Sequence, residues 1–201
     1  MIEESYTLFG RIRLFRDAKG IYATAPLWQR DLALHFGYIR DFRICCPVTQ
    51  VEAIPDGQAV VEGLADENVT AIREDFGWFS VLRNFIPNGR QVWRALRKTK
   101  IAHSGGAGWA FPIAYYLLAF RPFLRFQWVM LIESSFYRVA KGQRAGLRRR
   151  LGHYFHSALV RFCVRSADAR VFTSQAYRDL FLGSSQKSLI APAIWVNSSD
   201  A

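Results

Sequence analysis

The sequence predicts an α/β protein built on a Rossmann-like, doubly wound and mainly parallel sheet. Three observations carry this expectation. Strand-like and helix-like segments alternate along the chain, the pattern of parallel strands joined by helical crossovers. The stretch "FQWVMLI" (126–132) is almost continuously apolar, as strands covered on both faces are. Three strand candidates run into polar loops, "HSGGAG", "ESSFYR" and "TSQAYR", and ligands of such sheets bind beyond the carboxyl ends of the strands.

Taken in order, "GRIRLF" (10–15) alternates as a short strand and "DAKG" turns the chain. "ATAPLWQRDLALHFG" (23–37) reads as a helix, with Thr24 as its cap, Pro26 in its first turn and Gly37 at its close. "DFRICCPV" is a strand ending at Pro47, and the acidic loop "EAIPDGQ" precedes a third strand, "VTAIRE". "SVLRNFIPNGRQVWRALRKTK" holds one or two helical pieces around "IPNG". "KIAH" is a strand, "GWAFPIAYYLLAF" a helix and "FQWVMLIESS" the buried strand. A long helix follows, about 145–167, with Leu147, Leu151, Phe155, Leu159 and Phe162 at spacings of three and four on the side expected to face the core. "ARVFTS" (strand), "QAYRDLFLG" (helix ended by Gly183) and "KSLIAPAIW" (strand) complete the series.

The stretch from Ile101 to Phe120 lacks charge for twenty residues. It is too interrupted for a membrane span, because its apolar part is only Trp109 to Phe120 and the "HSGGAG" backbone would lack partners in lipid. Strand, glycine loop and helix is the better reading, a unit that places anionic ligands at helix N-termini. "SGGAG" matches neither the dinucleotide fingerprint nor a P-loop.

With 201 residues, 51% of them apolar, the chain fits one domain with a substantial core, which excludes a disordered chain. The N-terminus "MIEESYTLFG" has no basic segment before an apolar run, so no secretory signal is expected. Cys45, Cys46 and Cys163 have neither disulfide-framework nor metal spacing; they read as buried hydrophobes of a protein in the reducing cytosol. His153 and His156 stand three apart on a helix, yet no third ligand accompanies them and no metal is expected.

Charge is unevenly placed. Residues 1–75 carry 8 basic and 12 acidic side chains, residues 76–201 carry 19 and 4. The densest cluster is Arg138, Lys141, Arg144, Arg148, Arg149 and Arg150, which points to a polyanionic partner or an anionic membrane surface. No nucleic-acid recognition motif supports nucleic acid as that partner.

Of the loop residues, His103 could be a core histidine satisfied by backbone or a cleft residue. Glu133, at the end of an apolar strand, either reaches the cleft or pairs with a cation such as Arg138. Ser134, Ser135, Thr173 and Ser174 could cap the helices that follow. Tyr115, Tyr116 and Trp109 read as helix packing.

The order "YATAPLWQRDLALHF", "HSGGAGW", "VMLIESSFYR", "RSADARVFTSQAYRDLF", "LIAPAIW" resembles the N-terminal domain of family-4 glycosyltransferases of the GT-B fold, of the bacterial exopolysaccharide and cell-surface type. The similarity runs from about Gly10 to Trp195. In that family two Rossmann-like domains face each other across a cleft; the N-terminal one holds the acceptor and the C-terminal one the sugar nucleotide. The resemblance implies that His103 is catalytic, lining the cleft near the transferred sugar. It implies that Gly105 and Gly106 let the backbone approach substrate, and that Glu133, Ser134, Ser135, Thr173 and Ser174 form the neighbouring cleft loops. The segment 138–150 becomes the membrane- or acceptor-facing surface.

Two departures stand out. The family often carries a glycine pair in its first loop, where this chain has only Gly20 in "DAKGIYATAP"; and "APAIWVNSSDA" falls where the family passes into its second domain. The expectation is therefore a single domain, 1–201, ending at the interdomain linker with the donor-binding domain absent. It would be the acceptor-binding half of a retaining, sugar-nucleotide-dependent glycosyltransferase acting on a lipid-linked or surface polysaccharide acceptor, inactive without a donor-binding domain. It would need no cofactor and lie at the cytoplasmic face of the cell membrane. The alternative is a non-catalytic basic module docking to anionic membrane or to a partner subunit.

Overall fold

The computed structural model describes residues 1–75, 77–106, 111–134, 138–139, 143–182 and 187–191. Strands β1 (Tyr6–Phe9), β2 (Leu14–Arg16) and β3 (Tyr22–Thr24) lead into helix α1 (Pro26–Tyr38). Then come β4 (Phe42–Gln50), β5 (Ala59–Val60), a 3-10 turn (Asp66–Asn68), β6 (Val69–Ile72) and α2 (Trp78–Leu96). The second half alternates strictly: β7 (Ile101–Gly105), α3 (Ala114–Phe120), β8 (Gln127–Ile132), α4 (Leu147–Ser166), β9 (Ala169–Phe172), α5 (Gln175–Phe181) and β10 (Leu189–Ile190).

These strands form one mixed sheet of order β10-β9-β8-β7-β1-β4-β2-β3-β5, with β6 also paired to β4. Every pairing is parallel except β2–β3 and β3–β5. The steps from β6 to β7, β8, β9 and β10 run in one direction along the sheet, so right-handed crossovers put α2 to α5 on one face and leave α1 on the other. The pleat of β1 and β4 divides the core accordingly. Phe9 and Cys45 pack with Val92, Leu117, Trp128 and Val160, whereas Leu8 and Cys46 pack with Leu32 and Ile44. All three cysteines are buried, as small hydrophobes are.

The sheet's first strand lies earlier than the pattern of "GRIRLF" predicts. β1 is "YTLF", buried at all four positions, so no alternation marks it. Phe9 pairs with Cys45 and Leu14 with Val48, so four residues of the incoming chain, 10–13, face only two of β4. That is a bulge, and it lifts Arg11 out of the ladder. Pro47 lies opposite the bulge, where its missing N–H costs no ladder bond to this neighbour, and β4 continues past it to Gln50. The turn at "DAKG" is present: Gly20 has φ +83°, and the Asp17 carboxylate accepts from the amides of Lys19 and Ile21 at 2.9 and 2.8 Å.

Thr24 belongs to β3 and donates its hydroxyl to the Arg13 carbonyl at 2.8 Å, so it does not cap α1. Ala25 takes that position without a side-chain bond, Pro26 opens the helix, and Gly37 lies inside it. Pro112 stands two residues before α3 and its carbonyl accepts from Tyr115 N–H at 3.0 Å. The "IPNG" segment does not divide α2, which passes through Pro87 as one helix. Pro87 removes one helical bond. Compensation comes from the buried side of the helix, where Asn88 receives the Arg73 amide at 2.8 Å and donates to the Arg73 carbonyl at 2.9 Å, while Asn84 donates to the Glu74 carbonyl at 2.8 Å. Asn88 is 2% exposed, and replacing it strands both backbone groups. Asn88→Leu is therefore expected to cost about 2–3 kcal/mol in urea unfolding; a loss near zero contradicts this tether.

The apolar stripe predicted to bury α4 faces the other way. Leu147, Leu151, Phe155 and Phe162 are 75, 60, 51 and 59% exposed, and of the five only Leu159 packs on the core. The buried residues are His156, Val160, Cys163 and Val164. Small side chains win this side because α4 lies close against α3 and the sheet. Tyr115 and His156 share a 2.8 Å hydrogen bond, and Cys163 contacts the Ala114 carbonyl. His153 is engaged separately, accepting from Val139 N–H at 3.0 Å.

Candidate functional site

Parallel strands β1, β7, β8 and β9 end at one edge, and a cavity of about 520 Å³ opens there. Its floor is β1 and the bulge after it, its far side is Gly105, Leu131, Glu133 and Thr173, and α1 closes it with Trp28, Asp31, Leu34 and His35. Apolar walls thus carry polar groups from five separate segments, the usual make-up of a small-molecule site.

His103 sits at the centre. It pairs in register with Leu8 on one side and Val129 on the other, and its ring stands 6.2 Å from that of His35. The Tyr6 hydroxyl is 2.8 Å from its Nδ1. With that hydroxyl as donor, the ring's own proton rests on Nε2. Burial, and secondarily His35, draws the His103 pKa down to about 4, so the imidazole is neutral at physiological pH. Burial likewise holds the Tyr6 phenol protonated.

Two carboxyls share the cavity. Burial raises the pKa of Glu133, and Asp31 adds to it; burial also raises Asp31, against the opposing pull of His35. His35 donates from Nδ1 to the Asp31 carbonyl at 2.8 Å and lies 3.8 Å from its carboxylate. Among the described residues Glu133 makes no ion pair with Arg138; it lines the cavity. Arg11 is braced behind the rim by an ion pair with Asp75 and by a 3.3 Å bond to the Phe111 carbonyl.

His103, Gly105, Glu133 and Thr173 thus meet in one cavity, as a common loop edge predicts. Thr173 is also tied back to β8, its amide donating to the Ile132 carbonyl at 3.1 Å. Ser174 caps α5, accepting from Tyr177 N–H at 3.3 Å. Gly106 lies behind the wall, where a Cβ would overlap Ile132 Cδ1 and come within 3.1 Å of Met130 Cε, so a side chain here would have to displace the ends of two core side chains. Ser134 is partly buried beside Glu133. Ser135 and Lys141 lie outside the described residues, as do Trp109 and Gly183. Arg148, Arg149 and Arg150 are exposed at the start of α4, Arg144 is exposed just before it, and Arg138 is half-buried.

Sequence reasoning missed Tyr6, Arg11, Trp28, Arg30, Asp31 and His35. Two signals were present. Trp28, Asp31 and His35 are spaced three and four on α1, one helical face of mixed aromatic and ionisable character. Arg11 follows the true first strand directly, the position of a cleft loop.

Strand order, crossover sense and the cavity at the carboxyl edge define a Rossmann-like sheet domain, the fold of one half of a GT-B glycosyltransferase. Among solved structures it matches sucrose-phosphate synthase from Thermosynechococcus elongatus with a TM-score of 0.50 and 14% identity, over 94% of this chain and 48% of that one. A second, shorter sucrose-phosphate synthase chain from the same organism matches at a TM-score of 0.46 and 12% identity, over 95% of this chain and 91% of that one. The chain therefore spans about half the length of the longer of the two. No protein-family model and no curated protein matches the sequence.

Proposed function

We propose that this chain is the acceptor-binding half of a sugar-nucleotide-dependent, retaining glycosyltransferase acting on a lipid-linked or surface polysaccharide acceptor. The observation that carries the reading is the cavity at the carboxyl edge. It sets neutral groups (His103, Thr173), acidic groups (Glu133, Asp31) and basic groups (Arg11, Arg30) over an apolar floor, a set suited to a polyhydroxylated ligand. Hydroxyls can donate to the two carboxyls and accept from the imidazole Nε2–H, while Trp28 offers an apolar face.

In this reading the half-site works by position and electrostatics. The cavity orients one acceptor hydroxyl toward the anomeric carbon, which turns a two-body encounter into an intramolecular one. Groups on a donor-binding domain stabilise the departing nucleoside diphosphate. No cofactor or metal enters; the sugar nucleotide is a substrate. The cationic start of α4 supports placement of the protein at the cytoplasmic face of a membrane, where a lipid-linked acceptor resides. No helix among the described residues is long and apolar enough to cross one.

The test is transfer from a panel of UDP- and GDP-sugars by the 201-residue chain alone and with a donor-binding domain, supplied in trans or fused after Trp195. Removing a single donor to a developing anion typically costs about a hundredfold in rate. The chain alone is therefore expected to be inactive and to hold sugar nucleotide weakly, and the completed pair to turn over. Turnover by the isolated chain at ordinary enzymatic rates overturns the half-enzyme reading.

A further inference from the structure

The apolar stripe that α4 turns outward has a counterpart on α2, where Phe79, Leu82 and Ile86 are 82, 75 and 63% exposed. These positions, three and four apart, form one side of the helix, as Leu147, Leu151 and Phe155 do on α4. The helices belong to the same face of the sheet, and the start of α2 meets the middle of α4, where the rings of Trp78 and His156 are 6.2 Å apart. An apolar groove of about 480 Å³ between α2 and α3, bordered by Arg90 and Arg94, continues the surface.

The charge on α2, α3 and α4 has one sign. No Asp or Glu occurs between Asp75 and Glu133, or between Glu133 and Asp168, so α2, α3 and α4 carry none. Arg83, Arg90 and Arg94 on α2 and Arg148, Arg149, Arg150, Arg161 and Arg165 on α4 are exposed. Apolar residues exposed in this number on helices whose only charges are cations match a partner that is anionic and apolar at once. A second copy would bring eight further cations against these eight, and a nucleic acid has no use for a row of Leu, Ile and Phe.

We propose that the outer face of α2 and α4 is a membrane-contact surface that seats on an anionic lipid bilayer, with Phe79, Leu82, Ile86, Leu151 and Phe155 entering the boundary between headgroups and acyl chains. This is the arrangement of an interfacial amphipathic helix, here built twice on one rigid layer. It extends beyond the basic cluster at 138–150, because apolar burial and not charge alone holds the protein down. Both helices start at the carboxyl edge of the sheet and their exposed apolar residues fall mainly in their first halves, so the contact surface borders the cavity mouth. A lipid-linked acceptor could then reach the cavity without leaving the bilayer. Only that last step rests on the glycosyltransferase reading.

The test is co-sedimentation of the full chain with vesicles of phosphatidylcholine alone or mixed with phosphatidylglycerol, at low salt and at about 1 M salt, where the Debye length falls to roughly 3 Å. Binding is expected to require phosphatidylglycerol and to survive in part at high salt. Phe79→Ser, Leu82→Ser, Leu151→Ser and Phe155→Ser combined should weaken partition by about tenfold or more with the melting temperature unchanged. All three native cysteines are buried, so a Phe79→Cys variant can carry an environment-sensitive dye. Its emission should shift to the blue on the mixed vesicles. No binding, complete release by salt, wild-type partition of the fourfold variant, or an unshifted dye with tighter binding to RNA each overturns the proposal. Transfer to a water-soluble acceptor by the completed enzyme should persist in the fourfold variant, which separates failure here from failure of the catalytic reading.

Discussion

Lowering the pH from 7 to 4 will strip on the order of 3 kcal/mol from the folding stability through His103 alone. The ordinary histidine value is 6.5, and burial brings this ring to about 4 in the folded chain. Between those values the unfolded chain binds a proton that the folded chain refuses, so stability is complete above about pH 6.5 and falls as the pH drops toward 4. His156, also lowered by burial, acts in the same direction. Asp31 and Glu133 act oppositely, because their raised folded pKa values favour the protonated forms and their contribution fades as pH rises through the carboxylate range. The His103 share is isolated by comparison. Urea unfolding of wild type and of His103→Gln across pH 4–7 should give a steep profile for the first and a flatter one for the second. Equal slopes would show that burial does not keep the His103 ring neutral in the folded chain.

The fold was legible where one physical signal dominated. β8 shows itself as an apolar run, and β7 and β9 as short apolar strands that end in polar loops; those loops brought His103, Glu133 and Thr173 to one edge on paper as they are in space. β1 was not legible because a four-residue strand buried throughout has neither alternation nor length. The same lack of signal hides Arg11, because "GRIRLF" alternates as a strand does while residues 10–13 form the bulge. α4 failed for a different reason. Its apolar periodicity is real, but it belongs to the outward side, because close packing against Tyr115 and Ala114 selects the small residues at 160, 163 and 164. Periodicity states that a face is apolar and leaves open what covers it. The α1 side of the cavity needed the tertiary structure, since nothing local tells Asp31 that Glu133 stands nearby.

If the cavity around His103 positions the acceptor, as proposed, its loss should show in the acceptor kinetics of a completed enzyme. With Tyr6 donating to Nδ1, His103 offers an Nε2–H from a ring fixed by Tyr6 and by two strands, so no reorganisation is needed when the acceptor hydroxyl arrives. Preorganised groups of this kind contribute about a hundredfold each. Glu133, held at its strand end, should contribute less because an exposed hydroxyl can use water instead. The decisive measurement is kcat/KM for acceptor and for sugar nucleotide, with the donor-binding domain fused, for wild type, His103→Ala and Glu133→Gln, at a temperature where circular dichroism shows all three folded. A loss of about a hundredfold is expected for His103→Ala and about tenfold for Glu133→Gln in acceptor kcat/KM, with donor affinity unchanged. Wild-type acceptor kinetics in a folded His103→Ala enzyme would contradict it and return the histidine to the core.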